Sequence, residues 1–410
     1  MVFIFDVSKL YSDRASKMRK SVIRELLKVT QDPEIISFAG GLPNPRSFPI
    51  KDIEGCIKNV LENHGEVALQ YGTTQGLQEL REVIAERSYK ESVDVQADDV
   101  IIFSGSQQAL DTVGKIFLNP GDTAICGLPT YLGGINAFRS YEANLTGIPL
   151  DKDGMRVDVL EETIKKLLKD NIIPKFVYVI PTFQNPAGVI MPESRRKKLI
   201  DIANEYNLII VEDDPYSKIR FDVPHVKPIK AFDDGGHVIY MSTFSKILSP
   251  GFRLAWTVAS PELTRKMVIC KQALDLCTNT FTQFIANDFI RRGSLDLHIM
   301  KLRELYKPKR DIMINAMAKY FPDGCTCYKP QGGMFAWATL PEGIDTELMF
   351  LDAIKEKVAY VHGKAFHVDG GGERSMRLNF SYSTDEQLDE GMKRLGNVIE
   401  KKLEKRKAVL

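Results

Sequence analysis

Through the middle of the chain, short apolar runs rich in β-branched residues alternate with longer segments in which apolar residues recur every three or four positions. The runs at 100–103, 123–126, 176–180, 208–212, 237–241 and 254–259 predict strands. Segments such as 107–117 and 193–206 predict helices between them. Alternation of this kind predicts an α/β fold with a mostly parallel sheet covered by helices on both faces. Sheets of this type bind ligands beyond the carboxyl ends of their strands. After Pro261 the pattern changes to long helical stretches reaching about Tyr320. Short strand-like pieces around 333–339 and 376–380 follow, then a terminal helix carrying Leu388, Met392, Leu395, Ile399 and Leu403. This predicts a second, smaller α+β domain. The first fifty residues offer a helix at 21–29 and a Gly/Pro-rich stretch at 39–49. These cannot form a domain alone and are expected to pack on the C-terminal part. The expected division is a large domain over 51–299 and a small one from 1–50 and 300–410.

Composition narrows the function classes. The chain has 410 residues and is 44% hydrophobic, enough for a large core in more than one domain. It holds 55 Lys and Arg against 54 Asp and Glu, so its balance gives no reason to expect nucleic acid or an anionic membrane as partner. The basic run Lys401, Lys402, Lys405, Arg406 and Lys407 reads as the solvated face of the terminal helix. The cysteines Cys56, Cys126, Cys270, Cys277, Cys325 and Cys327 form no Cys-x-x-Cys pair, and the six histidines are scattered. Neither a metal site nor a disulfide framework is expected, and reduced thiols fit a cytoplasmic protein. No stretch approaches membrane-spanning length, and the opening Met1-Val2-Phe3-Ile4-Phe5-Asp6 does not read as a signal peptide.

Chemistry-bearing residues follow the expected strands in order. Ser104-Gly105-Ser106-Gln107-Gln108 opens a helix, where free backbone N–H groups and the helix dipole suit a phosphate; Ser104 or Ser106 as a plain N-cap is the alternative. Tyr131 could stack on a flat cofactor or simply pack in its loop. Asn185, before Pro186, is a buried-capable amide and equally a routine turn residue. Asp213 needs a cationic partner or water. Lys246 lies beyond Thr243 and Ser245, with Arg253 seven residues on; hydroxyls and an arginine suit a phosphate, and a nearby cation makes a lysine a better nucleophile. Each signal also fits an ordinary loop. The ordered set matches what pyridoxal 5′-phosphate (PLP) requires: a phosphate anchor, a Schiff-base lysine and a carboxylate for the ring nitrogen.

On these residues, and on Ile36-Ser37-Phe38-Ala39-Gly40-Gly41-Leu42-Pro43, Gln70-Tyr71-Gly72, Asn185-Pro186-Ala187-Gly188, Glu212-Asp213-Asp214-Pro215-Tyr216 and Gly332-Gly333-Met334-Phe335, the chain resembles the fold-type I, class I/II aminotransferases over nearly its full length. It looks most similar to the branch of kynurenine, 2-aminoadipate and archaeal aromatic or multi-substrate aminotransferases. The resemblance implies that Lys246 carries the cofactor and shuttles the substrate proton, with Asp213 on the ring nitrogen. It also implies Asn185 and Tyr216 on the ring oxygen, Asn185 at the substrate as well, and Tyr131, in the catalytic set with Lys246 and Asp213, on the ring face. Ser106, Gln107, Thr243, Ser245 and Arg253 would hold the phosphate, joined by Tyr71 from the other subunit of a homodimer with shared sites. Arg377 would clamp the substrate carboxylate, and Gly40 would let the N-terminal segment close over the substrate. The implied activity moves an amino group from an L-amino acid to a 2-oxo acid, 2-oxoglutarate foremost, by a ping-pong mechanism. The family often has Gly at the position of Ala255 and Pro at that of His362, which bears on substrate range.

Two other readings compete. A PLP-dependent β-lyase on the same fold shares the first half-reaction. An aminotransferase-like regulatory domain would need a DNA-binding module, and the roughly forty residues before Ala39 predict one helix, short of a winged helix-turn-helix. Donor choice stays open. One of Arg14, Lys17, Arg19 and Lys20 could receive a distal carboxylate, or all four could form a solvated basic stretch.

Overall fold

A computed structural model describes residues 6–18 and 32–407. The helix expected at 21–29 lies outside the described residues. The first strand, β1 (Ile36–Ser37), belongs to a small outlying sheet. Eight strands then build the central sheet: β2 (Val100–Phe103), β3 (Thr123–Leu128), β4 (Asn144–Asp151), β5 (Gly154–Met155), β6 (Phe176–Val179), β7 (Ile209–Asp213), β8 (Val238–Thr243) and β9 (Ala255–Val258). Five short strands follow: β10 (Thr326–Cys327), β11 (Phe335–Thr339), β12 (Val358–Ala359), β13 (Val361–His362) and β14 (Ser375–Asn379).

The central sheet runs β2-β9-β8-β7-β6-β3-β4-β5. Strands β8, β7, β6, β3 and β4 are mutually parallel, while β9 is antiparallel to both neighbours and β5 to β4. Alternation within each strand separates two cores. Val100 and Ile102 join one cluster with the Glu193–Tyr206 helix; Ile101 and Phe103 join another with the helices Ser106–Phe117, Leu132–Arg139 and Pro261–Asp275.

The expected strands all form, with ends moved by one or two residues. β3 continues to Leu128 because it pairs with β4 through Leu128 and Pro149. β4 and β5 escape the sequence reading: Gly147 and Pro149 interrupt β4, and only Ile148 of its eight residues is buried. β7 includes Asp213 and β8 includes Thr243, so these residues stand on strands rather than after them.

Beyond Pro261 come the helices Pro261–Asp275, Thr280–Arg291 and Ser294–Tyr320. The last runs unbroken through residue 300, the expected domain division. A four-stranded antiparallel sheet, β10-β11-β14-β13, follows, and the Asp385–Lys407 helix buries Leu388, Met392, Leu395 and Ile399. The Gly/Pro-rich segment packs on this part of the chain. β1 pairs in parallel with β12, Asn379 donates its backbone N–H to the Phe38 carbonyl at 2.9 Å, and Asn44 donates its backbone N–H to the Tyr306 hydroxyl at 3.0 Å.

Candidate active site

The carboxyl edge of the central sheet brings three groups together. The first is built on β2, β8 and β9. Because β9 runs antiparallel between the other two, its first residue, Ala255, pairs with both Phe103 and Thr243. One row of the sheet therefore sets Arg253, the Ser106–Phe117 helix start and the turn to Lys246 side by side. Arg253 precedes a strand, β9, instead of following one. Gly105 caps the helix at φ +85°, and a Cβ on it would collide with the Arg253 guanidinium. Ser106 Oγ is buried without a partner among the described residues. Thr243 Oγ1 lies 2.9 Å from Ser245 Oγ and 3.0 Å from the Leu254 carbonyl, and Gln107 Nε2 donates to the Gly133 carbonyl at 3.0 Å. First-turn N–H groups of a helix lack intrahelical acceptors, so this corner suits an anion.

The second group stands on β7 and the turn after β8. Alternation sends Glu212 and Asp214 to one face, where Glu212 accepts from Ile229 N at 2.8 Å and Lys230 N at 2.9 Å, and Asp214 from the Tyr240 hydroxyl at 3.1 Å. Asp213 faces the other side. Its Oδ2 accepts from the Tyr178 hydroxyl at 2.7 Å, while its buried Oδ1 has no partner among the described residues. Burial pushes its pKa up to about 7, with Asp214 adding to the rise and the Tyr178 hydrogen bond opposing it. Lys246 Nζ donates to the Gly41 carbonyl at 2.7 Å. Burial, then the positive charges of Arg377 and Arg253, lower its pKa to about 8.

The third group centres on Arg377, in the middle of β14 between Trp337 and Val361. It is 1% exposed, donates from Nη1 to Asn185 Oδ1 at 3.1 Å and from Nη2 to the Ala39 carbonyl at 2.8 Å, and leaves Nε unpartnered. Its guanidinium lies 4.2 Å from the Phe335 ring centroid and 5.0 Å from that of Phe366. Burial lowers its pKa to about 10, and its hydrogen-bond partners among the described residues, Asn185 and Ala39, are neutral. Asn185 Nδ2 sits 3.5 Å from the Tyr216 hydroxyl. Burial also raises the pKa of Tyr131, with Asp213 adding to the rise and Arg377 and Arg253 opposing it. Gly40 is buried between the two residues whose carbonyls receive Arg377 and Lys246.

Thus Lys246, Asp213, Asn185, Tyr216, Tyr131 and Arg377 converge, with the Ser106 corner at one end. Tyr71 stays apart: it is 82% exposed in the turn after the Ile50–Ala68 helix, beside exposed Val67 and Leu69. Arg14 lies over the Tyr141 ring and Lys17 pairs with Glu142, so these two are engaged at the surface. Arg19 and Lys20 lie outside the described residues. Sequence reasoning missed Tyr178, Phe335 as a guanidinium shelf, and the Gly41 carbonyl. For Tyr178 the one available signal was a phenol inside an otherwise apolar strand, a group that finds a partner when buried.

The unsatisfied groups fit PLP. The open Asp213 Oδ1 suits a protonated ring nitrogen, and the buried Ser106 hydroxyl with Arg253 suits a phosphate. The "Aminotransferase class I and II" family profile matches residues 47–395. The chain belongs to this family. An aromatic-amino-acid aminotransferase 1 of Thermococcus litoralis is 50% identical over 98% of this chain and 96% of its own. A 2-aminoadipate transaminase of Thermus thermophilus is 38% identical over 96% and 97%. The crystal structure of Pyrococcus horikoshii kynurenine aminotransferase, in complex with PMP, shares 48% identity and a TM-score of 0.94 over 97% of this chain and 98% of that one. This aminotransferase has the PLP-dependent fold type I, and PLP is the cofactor of its class. Among the described residues, no helix is long and apolar enough to cross a membrane.

Proposed function

We propose that this aminotransferase moves the amino group of an aromatic L-amino acid to 2-oxoglutarate at a PLP held between the central sheet and β14. The convergence of Lys246, the open oxygen of Asp213 and the carboxylate-free guanidinium of Arg377 carries this reading. The bound cofactor supplies an electron sink for the substrate Cα. Asp213 would keep a proton on the ring nitrogen, Asn185 and Tyr216 would hydrogen-bond the ring oxygen, and Tyr131 would pack against the ring. Ser106, Gln107, Thr243, Ser245 and Arg253 hold the phosphate, together with Tyr71 from a second copy of the chain. Lys246 anchors the cofactor, then takes the proton from Cα; with its pKa near 8 it is available as a base close to neutrality. Arg377 grips the α-carboxylate that every donor and acceptor carries, so one residue serves both half-reactions.

An aromatic donor is supported by the names of the Thermococcus and Pyrococcus relatives and by the Phe335 and Phe366 rings beside Arg377. We further propose a cytoplasmic homodimer. In it, 51–299 would act as the cofactor domain, with 1–50 and 300–410 as a small domain whose leading segment covers the substrate about Gly40. The test is a panel of amino donors against several 2-oxo acids, with the new amino acid and 2-oxo acid both quantified. Matched formation of the two is expected, largest with aromatic donors and 2-oxoglutarate. Ammonia release without a new amino acid would overturn the reading in favour of a lyase.

A further inference from the structure

We propose that Tyr178 is a positioning residue for amino transfer: it holds one oxygen of Asp213 so that the other is presented to the cofactor ring. The proposal rests on the reading of Asp213 above.

The register of the sheet creates the contact. β6 and β7 are parallel, and Tyr178 pairs with Val211. Residues two apart on a strand share a face, so Tyr178, Val211 and Asp213 line the same side of the sheet. Two residues along a strand span roughly 6–7 Å, about the reach of a tyrosine side chain. The hydroxyl arrives 2.7 Å from Asp213 Oδ2. The ring is fully buried and edge-on to Phe138, with centroids 5.4 Å apart. Gly134 leaves it room, since a Cβ there would come within 2.9 Å of the ring. The phenol is therefore fixed by packing before it touches the carboxylate.

This contact does two things. The terminal torsion of an aspartate is broad, so the side chain alone does not fix the carboxylate plane. Anchoring Oδ2 removes that freedom and leaves Oδ1 as the open oxygen. Moreover, the donor is neutral. An arginine or lysine in its place would neutralise the carboxylate, whereas a phenol orients it and leaves its charge for a cationic ring. Burial, with Asp213 close by, holds the Tyr178 pKa well above the usual tyrosine range, so the hydroxyl keeps its proton.

The simpler alternative is that the Tyr178 hydroxyl only satisfies itself on the nearest acceptor. A double-mutant cycle separates the two. The dissociation constant of PLP is measured on apo-protein by fluorescence for wild type, Tyr178→Phe, Asp213→Ala and the double variant, alongside steady-state kinetics. Tyr178→Phe removes the hydroxyl and keeps the ring packing. A hydrogen bond to a charged group warrants a weakening of about tenfold in cofactor affinity. A fall in kcat with unchanged KM should accompany it, because Arg377 holds the substrate carboxylate. In the Asp213→Ala background the further effect of Tyr178→Phe should be less than about twofold. Wild-type affinity and kcat in Tyr178→Phe would overturn the proposal, as would an equal loss in both backgrounds. If Asp213→Ala binds PLP undiminished, the reading of Asp213 fails and this proposal with it. If Asp213→Ala is weakened but Tyr178→Phe is silent, only the role of Tyr178 fails. Should Tyr178→Phe not fold, Gly134→Ala displaces the ring with the hydroxyl retained. The same loss, absent without Asp213, is then expected, and an undiminished affinity overturns the proposal.

Discussion

Gly105 stands against the guanidinium of Arg253, with φ +85° and no space for a Cβ. The corner proposed for the phosphate therefore depends on a residue that has no side chain of its own. Gly105→Ala is expected to weaken PLP binding at least about tenfold, since an alanine held at φ +85° and ψ 159°, a region essentially confined to glycine, costs about 1–3 kcal/mol and Arg253 must also move. Fluorescence titration of the apo-protein measures this. An unchanged dissociation constant would show that Arg253 can shift without loss.

Lys246 is the expected attachment point of the cofactor. Borohydride reduction of the holo-protein should fix PLP to the peptide containing Lys246, and labelling of another lysine sinks the assignment. Lys246→Ala should still hold PLP at the phosphate corner and lose turnover.

The pKa of Lys246, about 8, sets a pH dependence. The neutral amine is the nucleophile, so covalent capture of PLP by apo-protein should accelerate with rising pH and level off above about pH 8. Arg377 is the larger of the two charges that depress this pKa. Arg377→Met should therefore move the rise to higher pH. Stopped-flow absorbance reads the rate, and a wild-type rise centred near the ordinary lysine value contradicts the prediction.

Arg377 should be selective for carboxylates. Arg377→Lys is expected to weaken every donor and acceptor by a similar factor, at least about tenfold for a charge-assisted bidentate contact, and Arg377→Ala by more. PLP content should stay near normal. Cofactor absorbance is titrated with an amino acid and with an amine lacking the carboxylate. Equal losses for both ligands would assign Arg377 to the fold alone.

Tyr71 is exposed on its own chain, beside Val67 and Leu69. If it completes the site of a second copy, mixing Tyr71→Phe with Lys246→Ala chains should restore activity, because one site of each heterodimer then carries neither lesion. No recovery, with subunit exchange verified by mass spectrometry, counts against sharing.

Much of this site is legible along the chain because alternation and turn chemistry are local. The apolar runs placed each central strand except β4 and β5, where a glycine, a proline and an exposed face erased the pattern. The terminal helix followed from Leu388, Met392, Leu395 and Ile399, which recur every three or four positions and are all buried. Arg14 and Lys17 illustrate the limit. Their charge is plain in the sequence, but whether it meets a substrate or Glu142 depends on how a distant loop approaches.

By itself the sequence determined which side chains stand near each carboxyl strand end, since strand and turn propensities act over a few residues. The tertiary structure alone decided which of them meet. Antiparallel β9 brings Arg253 back to the edge that holds Gly105 and Thr243. β14 carries Arg377 to Ala39, a hydrogen bond spanning 338 positions, and the parallel register of β6 on β7 lays Tyr178 on Asp213. Strand order and register are settled by packing two cores against both faces of one sheet. That is a property of the whole chain, and no local run of residues records it.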